Sequence, residues 1–136
     1  RKPDVTCGAA DVAEAELLRA LGAVQETPHE AAKFQHPFRK RFTAAWHWAE
    51  ALHHAVMGAP AVGDDAVARE GKIRQLRLLL DSRLSIARRG RWYNELVKEL
   101  ARAAGPLVAL HVAAEGLAEG EAPPLSVTVA VDLTAD

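Results

Sequence analysis

The side chains in this sequence best suited to binding chemistry are arginines, and the densest group of them lies just before a tryptophan-tyrosine pair. Arg88, Arg89 and Arg91 surround a glycine, and Trp92 follows directly. Guanidinium groups offer paired N–H donors that match the oxygens of a phosphate. A helix that begins here would add free backbone amides and the positive end of its dipole. The run predicts a phosphate-binding turn; a solvated basic turn and a contact with a protein partner are the alternatives.

A second basic cluster, Arg39-Lys40-Arg41, lies between two phenylalanines. The triplet is a candidate for contact with a nucleic-acid backbone, and aromatic side chains beside it could stack on exposed bases. The aromatic residues recur at intervals of four, however, which is more typical of one buried face of a helix. We therefore expect these four to be core residues: Phe34, Phe38, Phe42 and Trp46.

Two patterns in the sequence have the spacing of known metal sites, but each lacks other features that such a site requires. Glu50 and His53 have the Glu-x-x-His spacing of di-iron bundles, but such a site needs a second copy of the motif and two further carboxylates. Glu70-Gly71-Lys72, together with Asp64 or Asp65, is similar to the acid and Glu-x-Lys arrangement of metal-dependent nucleases, which requires adjacent strands. A helix cap followed by a solvated face fits that stretch better. We expect no catalytic residue, metal ligand or cofactor within this chain.

The distribution of charge points to an anionic partner. The 136 residues have a formal net charge of -1, but residues 33–102 hold fourteen Lys or Arg against seven Asp or Glu. Residues 1–32 and 103–136 are acidic. A basic centre between acidic ends is typical of proteins that meet nucleic acid or another polyanion. No apolar stretch is long enough for a membrane span, and Cys7 is the single cysteine, which favours a reducing compartment.

Helices must position these groups. Asp11 and Glu14 resemble a capping box, so a helix is expected to begin there and to end near Gly22. Thr27 and Pro28 predict another helix start. Apolar periodicity predicts further helices over residues 38–57 and 66–81, the second with Lys72 among its outward positions.

The remaining chain completes a helical array. A helix beginning near Arg91 has an apolar stripe through Trp92, Leu96 and Leu100. The last helix follows Gly105-Pro106, and its predicted buried face is Leu107, Leu110, Ala114 and Leu117. Residues 125–133 alternate apolar and polar side chains, which predicts one strand or extended segment. The predicted fold is all-α, with consecutive antiparallel helix pairs in a tetratricopeptide-like solenoid or small bundle: a helical-repeat domain over 1–120 and an extended segment over 121–136.

Residues 37–120 resemble the helical-repeat region of the Fanconi-associated nuclease family. Four stretches carry the resemblance, in order and with similar spacing: residues 38–46, 76–83, 89–93 and 115–118. The most specific are Arg89-Gly90-Arg91-Trp92-Tyr93 and Glu115-Gly116-Leu117.

The resemblance implies a larger enzyme that cuts branched DNA near a 5′ end in interstrand crosslink repair. A DNA-binding domain would precede this segment, and a virus-type replication-repair nuclease domain, using Mg or Mn, would follow it. The helical region would join these domains and supply cations to a pocket for the 5′ phosphate, with Arg91 in that pocket and Arg69 or Lys72 as a second cation. The family continues into a basic segment where this chain has Glu119-Gly120-Glu121, so a third pocket group is missing.

Two functions therefore stand as hypotheses. The first is a non-catalytic, DNA-contacting segment of a structure-specific repair nuclease that acts on branched or flap DNA, nuclear in a eukaryote and cytoplasmic in a bacterium. The second is a helical-repeat adaptor that binds another protein in a groove between helix pairs.

Overall fold

The computed structural model describes residues 3–26, 28, 32–33, 36 and 39–121, and this part of the chain is mainly helical. Its elements are α1 (Pro3–Glu26), a 3-10 helix (Arg39–Phe42), α2 (Ala44–Gly58), α3 (Ala66–Ser82), α4 (Arg89–Ala104) and α5 (Pro106–Glu121). The all-α prediction is confirmed. The segment predicted to be a strand, residues 125–133, lies outside the described residues. No helix in the described ranges is both long enough and apolar enough to cross a membrane.

Consecutive helices pack against each other as antiparallel pairs at the C-terminal end of the array. Arg69, near the start of α3, meets Glu99, near the end of α4. At the other end of the pair, Arg89 of α4 donates to the carbonyl of Leu80 in α3 (2.5 Å). This order of contacts requires opposite helix directions. The shared core contains fully buried leucines from α1, α2, α3 and α4: Leu17, Leu52, Leu76, Leu79 and Leu96.

The α3 and α4 helices form where the sequence predicted them. Asp65 caps α3, because its carboxylate accepts from the amide of Ala68 (3.0 Å). The helix ends at Ser82, and Arg83 takes a left-handed conformation with φ 56°. In α4 the predicted stripe is buried, with Trp92 and Leu96 each 1% exposed.

The start of α1 differs from the prediction. The helix begins at Pro3 rather than at Asp11, and it continues past Gly22 to Glu26. Asp11 is therefore inside the helix, and its carboxylate accepts from the side-chain amide of Gln75 (3.1 Å). The capping-box interpretation was wrong because both carboxylates of the motif are used in contacts with α3.

The single long helix predicted over 38–57 is interrupted at Thr43. Its hydroxyl accepts from the amide of Trp46 (3.2 Å), which makes Thr43 the N-cap of α2. The basic triplet consequently lies in the 3-10 turn before α2. Trp46 is partly buried against the core. The predicted burial of Phe34, Phe38 and Phe42 concerns side chains outside the described residues, as does most of the helix start at Thr27-Pro28.

The face that α5 buries is the opposite of the one predicted. Ala109 and Val112 are buried, whereas Leu107, Leu110 and Leu117 are 80%, 66% and 71% exposed. The reason is a close approach between helices: a Cβ atom on Gly116 would lie 2.9 Å from the ring of Tyr93 in α4. Because α5 packs through small residues, its leucines face outward.

Candidate anion-binding site

The three arginines at the start of α4 do not converge on one point. The guanidinium group of Arg88 pairs with Glu50 of α2 (2.7 Å), whereas that of Arg89 pairs with Glu119 of α5. Arg91 is exposed on the first turn of α4. Arg88 therefore contacts α2, Arg89 contacts α5 and Arg91 is exposed to solvent, although the three are neighbours in sequence.

Arg89 is held in place by the fold. Both oxygens of Glu119 accept from its guanidinium, Nη2 to Oε1 at 3.0 Å, and the Leu80 carbonyl takes a third donor. Tyr93 also donates its hydroxyl proton to Glu119 (2.8 Å). These hydrogen bonds, the one from Arg89 above all, hold the pKa of the Glu119 carboxyl below its ordinary value. With each of its three nitrogen atoms hydrogen-bonded and 11% of its side chain exposed, Arg89 connects α3, α4 and α5.

Arg69 and Lys72 lie in a mostly buried ion-pair layer between α3 and α4. Arg69 donates to Glu99 (3.0 Å) and to the Gly63 carbonyl. Lys72 contacts both Glu95 (3.2 Å) and Glu99 (3.0 Å). The side chains of Arg69 and Glu99 are 10% and 6% exposed. Lys72, predicted to face outward, is instead 16% exposed because these carboxylates draw it into the interface.

The ionisation of this layer follows from its pairing. Burial raises the pKa of Glu99, but hydrogen bonds from Lys72 and Arg69 outweigh that effect, and the pKa lies below its ordinary value. Burial likewise opposes the charge on Lys72, yet the bonds to Glu99 and Glu95 raise its pKa. The charged forms of Glu99 and Lys72 are thus favoured by their pairing, and Arg69 and Lys72 donate to carboxylates inside the helix interface rather than presenting themselves to a phosphate in solvent.

The basic triplet before α2 is open to solvent. Arg39 and Arg41 are exposed, and Lys40 is half-buried. The guanidinium of Arg41 lies over the ring of Trp46, 5.5 Å from its centroid, a cation–π contact that orients the side chain without neutralising it. No ion pair engages any of the three among residues that the structure describes.

A strip of cations runs along α2 and the first turn of α4; we define it as Arg41, Arg88 and Arg91. Trp46 and Glu50 are four residues apart and so share a face of α2. The guanidinium of Arg41 lies over Trp46, and that of Arg88 donates to Glu50. His53 lies one turn further along α2, and the positive charge of Arg91 lowers its pKa. From Trp46 to His53 the helix rises about 10 Å.

A buried histidine anchors the strip. The indole N–H of Trp92 donates to Nδ1 of His53 (3.0 Å), so this nitrogen carries no proton. Burial lowers the pKa of His53, and the charges of Arg88 and Arg91 act in the same direction. A neutral His53 therefore joins α2 to α4 beneath the arginines.

The residues considered for metal chemistry are arranged otherwise. His53 faces Trp92, while His54 lies 3.8 Å from Glu50 across one turn of α2. Within the described ranges, no three His, Cys, Asp or Glu side chains are grouped as a metal site. Asp65 is a helix cap and Lys72 belongs to the ion-pair layer.

The sequence identified the cations but not their partners. Glu14, which pairs with Arg74 (2.6 Å), lies sixty positions before it in the chain. Glu99 and Glu119 lie thirty positions from Arg69 and Arg89. The only signal that could have found them was helix pairing: in an antiparallel pair, positions near the start of one helix face positions near the end of the next.

Comparisons with known proteins return no relative: no family model, curated protein or solved structure matches the chain.

Proposed function

We propose that this chain is a non-catalytic helical segment of a structure-specific DNA-repair nuclease, and that its cationic strip holds the phosphates of branched or flap DNA. The family resemblance supplies the setting: flanking DNA-binding and nuclease domains, with Mg or Mn in the nuclease domain. The structure supports a narrower set of contacts than the eight cations that the sequence suggested. Arg41, Arg88 and Arg91 are the primary phosphate ligands of this proposal, with Arg39 and Lys40 beside them.

One observation carries the proposal: the cations buried at helix interfaces are paired with carboxylates, whereas Arg41 and Arg91 of the strip are exposed and have no ion pair among the described residues. Among the described residues, Glu50 is the one carboxylate that contacts the strip. Its pair with Arg88 is 29% exposed on both sides. An exposed ion pair is worth about 1 kcal/mol or less, so a phosphate can compete for Arg88.

The first turn of α4 strengthens the site for anions. Arg88 is the N-cap of α4, and no side chain caps the helix. Free amides at a helix start and the positive end of the dipole favour a bound anion. Arg91 projects from this turn, so its guanidinium and the free amides can act on one phosphate.

The size of the strip sets the expected affinity. The three guanidinium groups of the strip can each contact one phosphate, so roughly three nucleotides of a single strand are expected to be engaged. Three phosphate contacts give weak binding with a moderate dependence on salt: raising salt from about 50 to 200 mM should lower the affinity about 20-fold. Such a segment would assist the flanking domains rather than bind DNA tightly by itself.

Fluorescence anisotropy with a labelled 5′ flap DNA tests the proposal. Arg91→Ala is expected to weaken binding several-fold, and Arg41→Ala together with Arg91→Ala to weaken it further. Arg102→Ala is the matched control, because Arg102 is also an exposed arginine of α4 but lies at the opposite end of the helix. It should leave the affinity unchanged.

Equal affinity of all these variants and the unaltered chain would contradict the proposal. In that case the adaptor hypothesis would gain, since it requires no cationic strip.

A further inference from the structure

The outer face of α5 is an apolar surface that the described residues leave uncovered. Three leucines at intervals of three and seven residues, Leu107, Leu110 and Leu117, lie on it with Ala114 between them, and each leucine is at least 66% exposed. Single exposed leucines are common, but a row along one helix face marks a contact surface. We define this row of four residues as the leucine stripe.

We propose that residues 125–133 of this same chain pack along the leucine stripe. The segment has the pattern of a partner, because Leu125, Val127, Val129, Val131 and Leu133 alternate with smaller or polar residues. In an extended chain these five side chains point to one side. They repeat about every 6.6 Å, while the stripe repeats about every 5 Å, so a side-by-side contact can bury most of both rows.

The chain is long enough to make this contact. Residues 122–124, Ala-Pro-Pro, connect α5 to the segment, and proline cannot continue the helix. From Leu107 to Leu117 the helix rises about 15 Å. Nine extended residues span about 30 Å, enough to run back along the whole stripe.

The short connection favours the chain's own segment over a second molecule. A short tether holds the two surfaces at an effective concentration in the millimolar range. A second copy at micromolar concentration would have to displace a partner that is already present. Asp132 is the one charged side chain among residues 125–133, and it lies on the side of the alternation opposite the five apolar side chains, so the proposed contact with the leucine stripe is apolar.

The alternation supplies a matched pair of variants for the test. Val129→Lys places a charge on the apolar side of the segment, and Thr128→Lys places the same charge on the other side. In the full chain, Val129→Lys should raise the fluorescence of a dye that binds exposed apolar surface several-fold, and Thr128→Lys should not. Leu110→Lys, at an exposed position of α5 where folding is not at stake, should speed the hydrogen exchange of residues 125–133 at least tenfold.

Three results would overturn the proposal. The first is equal dye binding by the two lysine variants. The second is hydrogen exchange of residues 125–133 at the rate of an unstructured peptide in the unaltered chain. The third is a dimer, measured by sedimentation, that Leu110→Lys dissociates, which would assign the leucine stripe to a second copy.

Discussion

The ion-pair layer between α3 and α4 and the cationic strip along α2 are both built from basic residues, but they differ in how far those residues are buried and neutralised. In the layer, Arg69 and Lys72 face Glu99 across a helix interface and are mostly shielded from water. In the strip, Arg41 and Arg91 are exposed, and Arg88 shares its one carboxylate with solvent. The difference teaches that a basic residue's role here depends on the carboxylates opposite it. Cations that face a glutamate across a helix interface build the fold, and those of the strip stay accessible to solvent.

The largest expected effect is on the layer. Glu99→Gln would leave two buried cations with insufficient negative charge, and breaking a buried pair costs about 3 kcal/mol of unfolding free energy. Urea unfolding followed by circular dichroism measures the loss. Glu115→Gln is the control, because Glu115 is 54% exposed and pairs with a neighbouring histidine on α5. If both changes cost the same, the layer does not stabilise the fold.

A slightly smaller loss of stability is expected at the contact between α4 and α5, where Arg89 pairs with Glu119. Gly116→Ala would place a Cβ 2.9 Å from the Tyr93 ring, forcing α5 away from α4 and weakening the Arg89–Glu119 contact. Overpacking of this kind costs about 1–3 kcal/mol. Gly22→Ala in α1, where no atom lies within 4 Å of the added Cβ, should stabilise the chain by about 0.5–1 kcal/mol. Thermal unfolding that shifts the same way in both variants would refute this account of the helix pair.

Below the strip, His53 should make stability depend on pH. Its pKa is lower in the folded chain than its ordinary value of 6.5. Above pH 6.5 His53 is neutral in both the folded and the unfolded chain, so the free energy of unfolding does not depend on its titration. As the pH falls below 6.5, the unfolded chain binds a proton at His53 that the folded chain does not, and the free energy of unfolding decreases. His53→Gln should flatten the decline between pH 6.5 and 5.5. His111→Gln, at a position 75% exposed, should not; the reverse pattern would show that His53 is not the group responsible.

The smallest effect is a gain. Glu50→Gln removes the one negative charge from the strip and frees Arg88, so affinity for flap DNA should rise about threefold at moderate salt. Glu119→Gln should give no gain, because Arg89 still donates to the Leu80 carbonyl and stays mostly buried. Anisotropy titrations compare the two. An equal gain in DNA affinity from Glu119→Gln and Glu50→Gln would contradict the claim that Arg89 is held by the fold while Arg88 is available to a phosphate.

Local sequence signals predicted most helices but not their mutual arrangement. Asp65 and the stripe through Trp92 identified α3 and α4, because a cap and a regular apolar row act within one helix. The helix start predicted at Asp11 was wrong, since its carboxylate accepts a hydrogen bond from Gln75, sixty-four positions away, instead of capping a helix. In α5 two apolar faces compete, and the larger side chains suggested the wrong one.

The same limit applies to the candidate site. All of its cations were visible in the sequence, but their availability depends on glutamates that only the packing brings near. His53 was noticed for its spacing to Glu50, whereas its buried bond to Trp92 needed the relation of α2 to α4.

The salt dependence of flap-DNA binding tests the central claim most directly. With three phosphate contacts, the slope of the logarithm of the association constant against the logarithm of salt concentration should be about −2, and removal of Arg41 and Arg91 together should reduce it to about −0.7. The control pair, Arg77→Ala with Arg102→Ala, removes the same charge from exposed positions outside the strip and should leave the slope at about −2. Equal slopes in the two double variants would contradict the claim that the strip is where phosphate binds.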